Sequence, residues 1–194
     1  MDYLLAPERH AARGFVLRSY RTGDGAALAA ALEGSYDHLR TFLPWAEPRT
    51  SERAAERRVR HFRAQWLLAR DFVVAVANEA DTEILGGTGF HLRGAKLEVR
   101  TAEIGMWLRP DAAHAGLGTR VLVAMLEWGF SAWPWERLSW HCSTRNLASI
   151  RVAEKAGMTR EGVLRGDRIE TDGERGDTML FGALRGHWAR PEPR

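Results

Sequence analysis

The chain of 194 residues holds a single cysteine, Cys142. An internal disulfide framework and a Cys-rich zinc site are therefore excluded. A reducing, cytoplasmic setting is the expectation. No apolar run approaches the ~18 residues that a membrane-spanning helix needs; Phe72 to Ala77 and Val121 to Leu126 are both short. The first residues, MDYLLAPERHAARGF, lack a basic stretch followed by a long apolar one, so a signal peptide is not expected. The GxxxxGK[ST] phosphate loop is missing, as is a full GxGxxG, which disfavours nucleoside triphosphatases and dinucleotide folds. No carboxylate or histidine cluster stands at ligand spacing, so no metal is expected. Internal repeats and low-complexity tracts are missing too.

What remains is the composition of an ordinary soluble protein, 45% hydrophobic and 27% charged. The length fits one domain over residues 1–194 with a sizeable core. A net charge of +3 and a pI near 9.5 suit an anionic ligand without demanding nucleic acid. The chain lacks the interleaved aromatic and basic residues of nucleic-acid surfaces, so direct nucleic-acid binding is not expected.

Phe15 to Tyr20 alternates and predicts a strand. Thr22 or Asp24 is placed to cap a helix through about Glu33. The segment SYDHLRTFLPW breaks at Pro44. A long helix is predicted from about Ser51 to Arg70, with Ala55, Val59, Phe62, Trp66 and Ala69 at helical spacing and arginines on its other faces. The run FVVAVA (Phe72 to Ala77) and Ile84 to Leu92 predict an antiparallel hairpin, the second strand carrying Gly86–Gly87. Thr101 to Leu108 is the next strand: Ala102, Ile104, Met106 and Leu108 form its core face, and Glu103, Gly105 and Trp107 are free to line a cleft. A glycine turn and a helix follow. Leu138 to Cys142 is a strand, and Asn146 caps a helix that ends at Gly157. Two strands, about Met158 to Arg168 and Arg175 to Leu184, close the chain. Pro191 and Pro193 predict a flexible tail over about 188–194. Early hairpins and a later strand–helix–strand unit give a mixed α/β fold with helices on both sheet faces.

The turn before the fourth helix carries the chemistry. Gly116 and Gly118 sit where a strand hands over to a helix. The unpaired backbone N–H groups and positive helix end there suit an anion, with Thr119 adding a hydroxyl. By itself such a pair is as much a structural turn as a phosphate site. Downstream, N-x-x-S-x-x-x-x-E-K-x-G reads as Asn146, Ser149, Glu154, Lys155 and Gly157, followed by Met158.

With both motifs in place, the chain resembles the GNAT superfamily of N-acetyltransferases, most closely its RimJ/RimL branch. The pyrophosphate loop [QR]-x-x-G-x-[GA] aligns as Ala113, His114, Ala115, Gly116, Leu117 and Gly118, with Ala113 in place of the usual Gln or Arg. HLRTFLPW and FGALRGHW extend the likeness to nearly the whole chain. The resemblance implies a splayed, mixed, mostly antiparallel sheet and acetyl-CoA as co-substrate between the strands containing Glu103 and His141. It implies backbone contacts to the pantetheine arm from Met106, Trp107 and Leu108. It also implies phosphate contacts from His114, Ala115, Gly116, Leu117, Gly118 and Thr119, and an amide contact from Asn146.

In that resemblance Glu103 stands where several members place a carboxylate base, against the alternative of a Glu paired with an Arg at the cleft wall. The α-amino group it would serve has a pKa of about 7.7–8.0 and attacks only when neutral. Ser149 is the candidate acid or thiolate stabiliser, because the tyrosine that other members use is here Ala153; its alternative role is a helix-start cap. Trp45, Trp107 and His141 are candidates for substrate contact, although a lone histidine is more often structural. Cys142 reads as a buried small apolar residue.

The expected activity is acetyl transfer from acetyl-CoA to a primary amine, a protein N-terminus of the ribosomal-protein type. The alternatives are acetyl or succinyl transfer to a small amine such as a polyamine or aminoglycoside, or a non-catalytic acyl-CoA-binding module. The resemblance also implies a homodimer.

Overall fold

In the computed structural model, residues 4–113 and 116–192 are described. The elements run β1 (Arg9–Ala12), β2 (Phe15–Ser19), α1 (Gly25–Glu33), α2 (Tyr36–Leu39), α3 (Glu52–Leu67), β3 (Phe72–Asn78) and β4 (Ile84–His91). They continue β5 (Thr101–Leu108), α4 (Leu117–Ser131), β6 (Arg137–Ser143), α5 (Leu147–Lys155), β7 (Thr159–Ile169) and β8 (Arg175–Leu184). Among the described residues, eight strands make one sheet in the order β1-β2-β3-β4-β5-β6-β8-β7. Every neighbouring pair is antiparallel except β5 and β6.

That parallel pair is short. Thr101, Ala102 and Glu103 align with Arg137, Leu138 and Ser139, and there the pairing stops. β5 stays on β4 as far as Leu108, while β6 stays on β8 as far as Ser143. The two strands therefore part beyond Glu103 and leave a wedge in the middle of the sheet.

Side-chain alternation sends Ala102, Ile104 and Leu108 to the face covered by α4 and α5. Val121, Leu122, Met125 and Leu126 come from α4, Phe72, Val74 and Val76 from β3, and Leu138, Trp140 and Cys142 from β6; all are buried there. On the opposite face α1, α2 and α3 pack around Tyr20, Leu28, Leu32, Leu39, Ala55, Val59 and Ala75. Helices thus cover both faces, as the order of elements predicts.

Two local readings near the start of the chain differ from expectation. β1 was invisible because it is a four-residue edge strand, partly exposed, whose Arg9 and His10 hide any alternation. The start of α1 is not capped by Thr22 or Asp24. Asp24 is bound to Arg18 (2.6 Å), and Glu56 reaches across from α3 to accept from the N–H groups of Gly23 and Gly25 (each 3.1 Å). Gly25 permits this approach, since a Cβ there would lie 2.6 Å from Glu56 Cβ. The C-terminal segment, expected to be flexible over about 188–194, touches the domain at several points. The Trp188 indole donates to the Ala156 carbonyl (2.9 Å), Arg190 pairs with Glu127 (2.9 Å), and Pro191 lies against Gly157. Pro193 lies outside the described residues.

Candidate active site

The wedge is where the sequence-derived candidates meet. β5 beyond Glu103 has no strand on its β6 side among the described residues, so the backbone of Met106, Trp107 and Leu108 has a free edge there. α4 begins beside that edge. Gly116 precedes it with φ +75°, a left-handed conformation that favours glycine, and leaves the N–H groups of Leu117, Gly118 and Thr119 at a helix start. Gly118 is buried for a different reason. A Cβ there would sit 3.3 Å from Val152 of α5 and 3.7–3.8 Å from Leu108 and Met106, so the glycine holds the turn close to both. His114 and Ala115 lie outside the described residues.

Asn146 caps α5 through its side-chain oxygen, which accepts from the Ser149 N–H (3.0 Å). Its amide NH2 is left to serve a carbonyl. The Ser149 hydroxyl accepts from the Trp140 indole (3.0 Å). Cys142 is buried beside them; burial pushes its thiol up, against hydrogen bonds with Ser149 and Trp140.

At the apex Glu103 carries two partners. One carboxylate oxygen lies 2.7 Å from Arg93 and the other 3.1 Å from Nδ1 of His141. Burial alone would raise this carboxyl. The hydrogen bonds and charges of His141 and Arg93 outweigh it and hold the pKa at about 2. Glu103 is therefore an ionised anchor at neutral pH. It fixes the imidazole with Nδ1–H donating, which leaves Nε2 as the proton acceptor.

A cavity of about 850 Å³ opens on the α1–α3 face next to this apex. Its floor is bare because glycines occupy one face of two paired strands: Gly87 opposes Trp107, Gly89 opposes Gly105, and His91 opposes Glu103. Rings fold onto that floor. A Cβ on Gly87 would lie 2.4 Å from the Trp107 indole nitrogen, and one on Gly89 or Gly105 would lie 3.1 Å from Nε2 of His91. Asp71 holds His91 at 2.8 Å. Trp45, half exposed above the cavity, meets Trp107 edge to face at 6.2 Å.

The sequence reading brought Glu103, His141, Ser149, Asn146, Trp45 and Trp107 into view, and the structure gathers them around the wedge and its cavity. It missed Arg93 and His91. The alternation of Gly87, Gly89 and Gly105 on one sheet face was the legible signal for the cavity. Among the described residues, no cluster of His, Cys, Asp and Glu could hold a metal ion, and no helix is long and apolar enough to cross a membrane.

Comparison with known proteins agrees with this architecture. The acetyltransferase (GNAT) domain family matches residues 15–159. The uncharacterized N-acetyltransferase YoaA of Bacillus subtilis is 37% identical over 83 residues, 43% of this chain and 46% of that protein. The chain spans about half the length of the curated relatives it matches. The fold superposes on RimL, a ribosomal L7/L12 α-N-protein acetyltransferase solved with coenzyme A, at a TM-score of 0.79. That match has 19% identity and covers 89% of this chain and 95% of the other. Mycobacterium smegmatis RimJ, solved with a CoA disulfide, gives 0.76 at 23% identity over 88% and 81%. The splayed sheet, the glycine turn at α4 and the matched span together place this chain in the GNAT acetyltransferase family.

Proposed function

We propose that the chain transfers an acetyl group from acetyl-CoA to a primary amine, the α-amino group of a protein N-terminus. The observation that carries this reading is the wedge: parallel pairing ends at Glu103 and Ser139, with the glycine turn on one flank and the Glu103–His141 pair at the apex. The name of RimL, a ribosomal L7/L12 α-N-protein acetyltransferase, supports a protein N-terminus of ribosomal type.

The residues present fit acetyl-CoA. A free strand edge over Met106 to Leu108 suits an amide-bearing arm, and the open N–H groups after Gly116 suit a pyrophosphate. Ala113 gives no polar side chain to that contact, so the backbone N–H groups and Thr119 carry it. The bound co-substrate supplies a thioester carbonyl; the N–C bond forms, the C–S bond breaks, and coenzyme A leaves as the thiolate.

The protein's share is proton handling and placement. An α-ammonium with a pKa of about 7.7–8.0 must lose its proton before attack. Glu103, held at about 2, does not retain a proton near neutrality. It acts as base through His141, whose Nε2 takes the proton directly or across one water while Glu103 stabilises the imidazolium. The Ser149 hydroxyl donates to the departing sulfur.

The test is turnover of N-terminal peptides with acetyl-CoA, followed by thiol release and product mass. The reading expects one added acetyl group on the α-nitrogen. Glu103→Gln and His141→Ala should each lower kcat by about 10²-fold or more while acetyl-CoA affinity holds. A wild-type protein that binds acetyl-CoA and acetylates no amine would leave only a binding module.

A further inference from the structure

The cavity beside Trp107 has a charge pattern that the reaction does not require. α3 contributes Ala54, Arg57, Arg58 and His61 to its wall. These stand at i, i+3, i+4 and i+7, so they share one stripe of the helix along the cavity, with Arg57 and His61 exposed at its mouth. Two of the other cationic side chains around the cavity are already engaged. Arg58 pairs with Glu47 (3.0 Å) and Arg93 with Glu103 (2.7 Å). Of the carboxylates on the wall, Glu47 is engaged by Arg58, and Asp71 is hydrogen-bonded to His91 (2.8 Å). Arg57 makes no hydrogen bond or ion pair with any described residue. The cavity therefore shows an uncompensated guanidinium, with His61 beside it.

We propose that this cavity selects an acidic amine: an N-terminal peptide segment with an Asp or Glu within its first few residues, its carboxylate held by Arg57. This rests on the acetyl-transfer reading for where the amine goes. The α-amine lies at the Glu103–His141 apex, and the next residues cross the glycine floor under Trp45 and Trp107. The acidic side chain meets α3. A guanidinium binds a carboxylate through two parallel N–H groups, which a polar uncharged side chain matches poorly. A polyamine or an aminoglycoside brings several ammonium groups up against the Arg57 guanidinium, which disfavours both.

The experiment uses three peptides that share an N-terminal serine and differ only in their next residues, acidic, amide or lysine. Wild type, Arg57→Ala and Arg57→Glu are each measured by thiol release and, separately, by calorimetric binding of the peptide. The acidic peptide should exceed the amide one by about 10-fold in kcat/KM, mainly through KM. Arg57→Ala should remove most of that preference, and Arg57→Glu should turn it toward the lysine peptide. Acetyl-CoA affinity reports that the variants are folded. Equal use of all three peptides by the wild type, or an unchanged preference in both variants, overturns the inference while leaving acetyl transfer intact. Selective binding of the acidic peptide without acetylation supports the inference and removes the transfer reading. Failure of the acidic peptide both to bind and to react overturns the inference.

Discussion

Beneath α4 and α5 the sheet is covered by interlocking rings, which Trp66 from the end of α3 joins; beneath α1 to α3 it is covered by leucines, alanines and the single ring pair Tyr20–Phe62, beside a floor of glycines. On the first face Phe72, Phe90, Trp128 and Trp133 lie within 4.8–6.0 Å of their ring neighbours, and Trp66 and Trp135 join them. On the second, α1 buries Leu28, Ala29, Ala31 and Leu32, and polar ties such as Arg18–Asp24 and Glu56 to the α1 turn hold the layer in place. A ring-filled layer leaves little room to shift, which suits the fixed position of the α4 turn. A hollow layer with a bare floor suits recognition of a variable amine. In the proposed function this difference in side-chain volume becomes a division of labour, one face for the donor and the other for the acceptor.

Removing a ring from the filled face should break the comparison most severely. Trp128→Ala should lose about 3–5 kcal/mol of stability, because the neighbouring rings of Phe90 and Trp133 refill the space only in part. Denaturant unfolding measures this. Should the loss fall below about 1 kcal/mol, the face is less tightly packed than its rings imply.

On the hollow face the same kind of edit should spare the fold and damage recognition. Gly87→Val puts a side chain where the Trp107 indole lies, 2.4 Å from its nitrogen. The indole must swing off the floor, and KM for the amine should rise by about 10-fold while acetyl-CoA affinity changes little. A matching loss of acetyl-CoA affinity would mean that the two faces are not separable.

The smallest effect concerns acid. Glu103 titrates at about 2 in the fold, below the ordinary carboxylate value of about 4.3. A depressed carboxylate stabilises the fold above its unfolded pKa and loses that contribution as pH falls toward the folded value. The stability gap between wild type and Glu103→Gln should therefore be flat above about pH 5 and narrow between about pH 4 and pH 2. Neutral-range limbs in the pH dependence of kcat/KM should not come from Glu103. A wild-type limb near neutrality that disappears in Glu103→Gln but survives in His141→Ala would return the base role to the carboxylate alone.

How much of this was legible in the sequence follows the same division. β5 was read at its true bounds, Thr101 to Leu108, because Ala102, Ile104 and Leu108 alternate onto one buried face. α5 was read from Asn146 to the Gly157 exit because both signals are local backbone chemistry. The ends of α3 shifted: Ala69 follows the helix with φ +51° instead of extending it. Charge pairing was not legible, since it depends on distant segments. Arg93 meets Glu103 only after β4 and β5 pair, and Glu56 caps α1 only after two helices cross. The solitary state of Arg57 is likewise a tertiary fact, because the sequence of α3 shows many arginines and gives no sign of which lack a carboxylate.

The central claim is that the α4 turn and the wedge hold acetyl-CoA. Calorimetric titration of wild type and Gly116→Asp tests it most directly. Nothing lies within 4 Å of the Cβ position at Gly116, and aspartate bears its left-handed φ of +75° better than most side chains, at a cost of about 1–2 kcal/mol, so the variant should fold. Its new carboxylate faces the place given to the pyrophosphate. The account predicts tight binding by the wild type and a loss of about 10-fold or more in the variant. Equal affinity in the two proteins, or no binding by either, would contradict it.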